Sequence, residues 1–299
     1  MSILEKVKEL REITGAGMQD CKSALKENND DIEKSIEYLR KKGILKAAKK
    51  SSRDAAEGLI IVGNDNDHAS LTEINSETDF VAKNEEFISF CKKISKISTK
   101  VNSLEELKSS PLEALTVEEN LVNLVAKIGE NIKIRRFRKI KKDDCKIQDY
   151  IHNKASDECG KIAVLLKYKS SSNQSDDLAK NICMHIAALS PMSLDRNTLD
   201  KTFIDNEKKI IEDQTEKNKK PEILEKIING KLNKIISDNV LLDQKFVIDP
   251  DKTVNESIQD FNKKNNDSFK IEEFIRYKVG DGVEVKKSDF SDEVKNLIQ

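Results

Sequence analysis

The segment Glu77-Thr78-Asp79-Phe80-Val81-Ala82-Lys83 marks the change from one backbone periodicity to another. Before it, Ala69-Ser70-Leu71-Thr72-Glu73-Ile74-Asn75 alternates apolar and polar residues, the pattern of a half-buried strand. After it, Phe80, Val81, Phe87, Ile88, Cys91 and Ile94 recur at helical spacing, which predicts a helix over about 78–100. Upstream, Gly58-Leu59-Ile60-Ile61-Val62-Gly63 reads as a second strand, joined to the first through the turn-rich Asn64-Asp65-Asn66-Asp67. A helix that begins where a strand ends presents unpaired N–H groups at its start. Two readings of the junction stand side by side. In one, Ser76, Thr78 or Asp79 caps the helix and Phe80 enters the core. In the other, the acid and the ring project together as a contact element.

On either side of this centre the chain is mostly helical. Residues 3–42 read as three short helices, with Leu4, Val7 and Leu10 on one face of the first. The break Thr14-Gly15-Ala16-Gly17 follows, then Met18, Cys21 and Leu25, then a cap cluster at Asn28–Asp31 and the stripe Ile32, Ile36, Leu39. From Arg40 to Arg53 every charged residue is basic, which suits an RNA or acidic partner, or a solvated connector. That stretch has no interleaved aromatic rings on which bases could stack. A helix is expected near 117–128 and a strand at Asn131–Ile140. The strand's many cations fit either nucleic acid or a charged edge strand. Lys161–Tyr168 is a further strand and Asp176–Leu189 a helix, a weak echo of the first strand-and-helix unit.

Residues 199–237 are highly charged with narrow apolar stripes. Leu199, Phe203, Ile204, Ile210 and Ile211 form one; Ile223, Leu224, Ile227, Ile228, Leu232, Ile235 and Ile236 form the other. Pro221 fits the first turn of the second helix, so an antiparallel coiled-coil hairpin is expected. The chain then returns through Phe246–Pro250, a helix near 254–261 and the strand-like Phe274–Val279.

Composition excludes several classes. The 299 residues suffice for two to four domains at about 100 residues each. Lys+Arg 53 against Asp+Glu 54 leaves a net charge of −1, which supplies no global attraction to nucleic acid or an anionic membrane. No stretch reaches the roughly 18 apolar residues of a membrane span, and Met1–Glu5 runs directly into a charged helix, so a cytoplasmic location is expected. The cysteines (Cys21, Cys91, Cys145, Cys159 and Cys183) form no C-x-x-C pair. His68, His152 and His185 lie far apart, so no zinc spacing exists. Cys183 and His185 are two residues apart and diverge on a helix. The cysteines read as small hydrophobes rather than nucleophiles.

Seven segments in order resemble the elongation factor Ts family over nearly the whole chain. They are Leu10–Lys22, Lys46–Lys50 with Ala56-Glu57-Gly58, Thr78-Asp79-Phe80-Val81, Val125–Ile132, Met184–Ala188, Phe246–Pro250 with Lys252-Thr253-Val254, and Phe274-Ile275-Arg276. The resemblance implies an α+β protein: an N-terminal three-helix ubiquitin-associated-type module, a central core of two small antiparallel sheet/helix subdomains, and a protruding antiparallel coiled-coil hairpin. The corresponding division is 1–54 (the module plus basic linker), 55–141 (core subdomain N), 142–198 (the beginning of core subdomain C), 199–240 (hairpin) and 241–299 (return of subdomain C and C-terminal segment).

The resemblance also implies a function. The family promotes GDP release from the translational GTPase elongation factor Tu, without covalent chemistry of its own. On that basis Thr78, Asp79, Phe80 and Val81 dislodge Mg²⁺ in the partner, and Arg11 and Met18 bind it. GDP and Mg²⁺ belong to the partner, so no cofactor, no membrane and no direct nucleic acid contact is expected. The working form is then a heterodimer or higher complex. The chain departs from the family pattern at Gln19, where a second methionine is common, at Ala163 inside a strand, and at Ser156–Cys159. The rival readings are an RNA- or ribosome-binding factor using 40–53 and 133–142, a Cys–His hydrolase, and a docking protein built on the N-terminal module alone.

Overall fold

The structure is a computed structural model that describes residues 2–14, 16–215 and 221–284. It is an α+β protein dividing into two compact units. The first takes the described residues of Met1–Lys139, Asn153–Ile162 and Tyr277–Gln299; the second takes Ile140–His152 and Ala163–Arg276.

The first unit opens with α1 (Ile3–Thr14), α2 (Met18–Glu27) and α3 (Ile32–Lys50). Val7, Leu10, Cys21, Ala24, Leu25 and Leu39 form their common core. Asp31 caps α3 by accepting from the Lys34 N–H at 3.0 Å. The basic stretch expected to be a linker is instead the continuation of α3, which runs to Lys50. Five of its seven cations pair with carboxylates: Lys42 and Lys46 bind Asp20, Arg40 binds Glu119, Lys41 binds Glu37, and Arg53 binds Glu77. α3 can hold these like charges because Lys41 reaches a carboxylate one turn back on its own helix, and Arg40, Lys42 and Lys46 reach carboxylates on the helices packed against it.

The hairpin β1 (Glu57–Asn64) and β2 (His68–Ser76) then forms in register from Glu57 opposite Ser76 to Asn64 opposite Ala69. Gly58 has φ +128°, and a Cβ there would lie 2.1 Å from the Ile74 carbonyl oxygen, so only glycine fits the entrance to β1. After β2 come α4 (Glu85–Ser98), α5 (Leu104–Ser109), the short ribbon β3 (Pro111–Leu112) and β4 (Leu115–Thr116), then α6 (Val117–Ile128) and β5 (Ile132–Lys141). Leu59, Ile61, Ile74, Phe87, Cys91, Ile94, Leu121 and Val125 pack into one core between the sheet and these helices. Within this unit the strand order is β7–β1–β2–β5, where β7 (Cys159–Lys169) follows β6 (Lys146–Ser156) and places Cys159 opposite Ile61.

The alternation in β2 suggests one wet face, but Ser70, Thr72, Glu73, Asn75 and Ser76 are all buried. Ser70 is covered by α4, through a 2.8 Å hydrogen bond to Ser98. Glu73 is covered by Arg135 and Arg136 of β5 and by the Gly280 N–H, which it accepts at 2.9 Å. β5 lies at the end of the strand order, as a strand rich in cations suits. Arg136 also stacks on Tyr277 with its guanidinium carbon 4.0 Å from the ring centroid.

In the second unit β7 pairs with β6 and with β10 (Lys270–Lys278). α7 (Ser175–Leu189) precedes the helix pair α8 (Lys201–Gln214) and α9 (Pro221–Asn239). Ile211 and Ile228 are buried, and α9 begins at Pro221, as the missing N–H of proline permits. The ribbon β8 (Lys245–Phe246) and β9 (Asp249–Thr253) and the helix α10 (Val254–Asn265) complete it. α10 starts with a capping box between Thr253 and Glu256. β6 is a strand that the local pattern does not announce, because its residues are mostly half-exposed polar ones without clear alternation.

Candidate functional site

The Thr78–Lys83 segment is not the first turn of the helix. Val81–Lys83 forms a single 3-10 turn, and α4 begins only at Glu85. The cap is Asn84, whose side-chain oxygen accepts from the Glu86 N–H at 2.9 Å and the Phe87 N–H at 3.3 Å. Neither Thr78 nor Asp79 caps α4, and Phe80 does not enter the core. Its side chain is 77% exposed, while the following Val81 and Ala82 are buried in the core of the first unit. A phenylalanine left in water beside two buried aliphatic residues costs apolar hydration that an inward rotation of the turn would remove. Here the turn is fixed from both sides and keeps the ring out.

One fixing point is the buried Val81–Ala82 pair. The other lies across the unit at the end of α6. Gly129 ends that helix in a left-handed conformation, φ +88°, and directs the chain so that Glu130 meets Thr78. The Glu130 carboxylate accepts from the Thr78 N–H at 3.0 Å and from the Thr78 hydroxyl at 2.8 Å. Beside it the Asn131 N–H donates to Glu77, and the Asn131 side chain donates to the Arg53 carbonyl at 2.7 Å. Lys50 donates to the Gly129 carbonyl. The motif, the end of α6 and the end of α3 thus meet at one polar junction.

Asp79 faces solvent and accepts from Lys83 Nζ at 2.9 Å; the same ammonium stands 5.9 Å from the Phe80 ring centroid. The Lys83 hydrogen bond holds the Asp79 carboxyl below its ordinary pKa, so the group is anionic at neutral pH. Acid, ring and ammonium form a small exposed cluster, and an exposed ion pair of this kind opens at little cost.

On the three-helix module, Arg11 and Met18 are both exposed, Met18 at 57%. Gln19 is exposed beside it. Ile13 and Leu39 line a separate groove of about 930 Å³ between the three-helix module and α4, α6 and the β3–β4 ribbon.

The remaining candidates for chemistry are occupied. His185 is fully buried, with Nε2 at 2.9 Å from Gln244 Oε1 and Nδ1 accepting from the Val247 N–H at 3.3 Å. Cys183 is buried and its thiol donates to the Gln148 carbonyl; burial pushes its pKa, and that of Cys91, well above the ordinary thiol value. A protonated thiol without a base at hand is no nucleophile, which argues against the hydrolase reading. Among the described residues, no group of three or more His, Cys, Asp or Glu could hold a metal ion. No described helix is long and apolar enough to cross a membrane.

The His185 bonds need the neutral ring protonated on Nε2, and burial lowers its pKa from the ordinary 6.5. The unfolded chain takes up a proton as pH falls through that value, whereas the folded ring resists. The stability from His185 is complete above the unfolded pKa and is lost as pH falls toward the lower folded one. Melting temperatures measured from about pH 7.5 to about pH 5 should therefore fall more steeply for the unaltered protein than for His185→Gln. Parallel curves would show that the ring does not titrate with folding.

The family model described as "Elongation factor TS" matches residues 77–281. The chain belongs to the elongation factor Ts family. It is 46% identical over 300 residues to elongation factor Ts of a Nitratiruptor species, covering 96% of each chain. It is 42% identical over 294 residues to the protein of that name from a Ruegeria species, covering 98% of this chain and 97% of the relative. A Clostridium kluyveri elongation factor Ts is 41% identical over 309 residues, covering 100% of this chain and 99% of the relative. Membership in the family makes this a factor of translation elongation in protein biosynthesis. The matched region begins at Glu77, one residue before the Thr78–Val81 motif, and includes the whole of the Gly129–Asn131 junction.

Proposed function

We propose that this protein is the guanine-nucleotide exchange factor of translation elongation, binding elongation factor Tu·GDP and promoting GDP release. The observation that carries the reading is the outward presentation of Asp79 and Phe80 on a turn fixed from behind. A GTPase holds GDP through its phosphate loop and through Mg²⁺ bridging phosphate oxygens and protein ligands. A factor that binds the nucleotide-free form more tightly than the GDP form must, by linkage, loosen GDP by the same ratio.

Phe80 supplies an apolar wedge whose burial against the partner is worth about 1.5–3 kcal/mol, realised only where the partner opens to admit it. Asp79 supplies an anion that competes for the Mg²⁺ environment. Thr78 and Val81 set the turn that carries them. Arg11 and Met18, exposed on α1 and α2, bind the partner through the three-helix module. No bond is made or broken, so the protein is not an enzyme and carries no cofactor of its own. Its place of work is the cytoplasm, in complex with the GTPase. The proposed domains are 1–54, 55–141, 142–198, 199–240 and 241–299, with the helix pair α8–α9 as a further contact element.

The test is release of labelled GDP from elongation factor Tu of the same cell. The expected result is strong acceleration by the full chain at neutral pH. No acceleration would overturn the reading in favour of the RNA- or ribosome-binding one. That alternative predicts RNA binding that weakens steeply with salt. Against it stand the partners of the basic segments: Arg135 and Arg136 are committed to Glu73, and Lys139 to Asn102.

A further inference from the structure

The Thr78–Val81 turn owes its outward set to a residue 52 positions away in sequence. We infer that Glu130 is a positioning residue for this turn, clamping Thr78 so that Asp79 and Phe80 are held ready for the partner. The inference rests on the exchange-factor reading above and adds to it a residue outside the motif.

The geometry is specific. One carboxylate oxygen takes the Thr78 backbone N–H and the other takes its hydroxyl, so the clamp fixes both the backbone and the side-chain rotamer. The Thr78 carbonyl in turn accepts from the Ser76 hydroxyl at 2.9 Å. Threonine at 78 is thereby held through its N–H, its hydroxyl and its carbonyl, immediately before the two exposed residues. Glu130 cannot follow Thr78 outward, because Gly129 and Asn131 on either side are bound to Lys50, Glu77 and the Arg53 carbonyl. Phe80 has no packing of its own to define its direction, being 77% exposed. Without the clamp, the turn would have to be ordered after the three-helix module has docked, as Phe80 enters the opening partner, so the ordering cost would fall on the release step rather than on docking. The same junction joins the end of α3 to the motif, so the module carrying Arg11 and Met18 and the turn carrying Phe80 share one anchor.

Three variants test this in the full chain: Glu130→Ala, Glu130→Gln and Glu130→Met. Glutamine keeps an oxygen for the Thr78 N–H and an N–H for its hydroxyl; methionine keeps the volume alone. Two measurements are made, hydrogen exchange of the Thr78 amide in the free protein and labelled-GDP release from elongation factor Tu over a range of concentrations. The expected result is rapid amide exchange for Ala and Met and near-normal protection for Gln. The saturating rate should fall about tenfold for Ala and Met, with the half-saturating concentration little changed and most of the rate restored in Gln. Unchanged Thr78 protection in Glu130→Ala would overturn the clamp. Lost protection with an unchanged rate, or a Met variant as active as Gln, would overturn the positioning role. If the unaltered protein itself failed to release GDP, the exchange reading would fall, and with it the purpose assigned to the clamp.

Discussion

Phe80→Ala should slow GDP release at saturating factor by about 10- to 100-fold, the rate equivalent of the roughly 1.5–3 kcal/mol gained when such a ring is buried. The same substitution should leave the free protein's melting temperature nearly unchanged, because the ring is 77% exposed and adds little to the core. The combination separates a contact residue from a core residue. A core phenylalanine truncated to alanine would lose about 3–5 kcal/mol of stability, and the melting curve would show it at once. Asp79→Ala should reduce the saturating rate as well, and should also free Lys83 from its 2.9 Å partner. Lys83→Ala then serves as a control, since losing the exposed pair alone should have little effect on stability. A Phe80→Ala variant with full exchange activity would return the ring to a surface accident and shift attention to Asp79 and the three-helix module.

Glu73→Leu should destabilise the first unit by about 3–5 kcal/mol, the cost of removing one member of a buried ion cluster. The Glu73 side chain is fully buried. It accepts from Arg135 Nη1 at 3.0 and 3.1 Å, from Arg136, from Asn75 Nδ2 at 2.9 Å and from the Gly280 N–H at 2.9 Å. Leucine would leave two partly buried guanidiniums and a backbone N–H without their acceptor, and unpaired groups of this kind cost more than the pair gained. Urea unfolding monitored by far-UV circular dichroism reads the loss. A change below about 1 kcal/mol would mean that the arginines find water or other acceptors, and that Glu73 is not what fastens Gly280 to the sheet.

These two expectations sit at residues that local pattern misplaces in opposite directions. Phe80 follows the helical spacing of Val81, Phe87, Cys91 and Ile94, and on periodicity alone it belongs inside. Glu73 is a carboxylate in a strand read as half-buried, and on residue type alone it belongs outside. Both inferences fail for one reason: periodicity describes a single element, whereas burial depends on what packs against it. The 3-10 turn at Val81–Lys83 delays the helix until Asn84 can cap it, so Phe80 is never on a helical face. β5 runs beside β2 in the sheet and brings Arg135 and Arg136 to Glu73, and the chain at Gly280 adds an N–H, so the carboxylate is satisfied away from water. The basic run after Arg40 shows the same limit, because a charge-rich sequence reads as linker until the carboxylates of Asp20, Glu37 and Glu119 are seen to face it.

The α+β class, the β1–β2 hairpin, the helices near 117–128 and 176–189, the helix pair flanking Pro221 and membership in the elongation factor Ts family are all legible in the chain without coordinates. Each rests on a local pattern or an ordered set of motifs, and local periodicity, turn residues and caps act over a few residues of chain. The direction of Phe80, the partners of Glu73 and the hold of Glu130 on Thr78 follow only from packing. The two carboxylates reach residues 52 or more positions away, at distances set by how helices and sheet come together, which no single segment encodes.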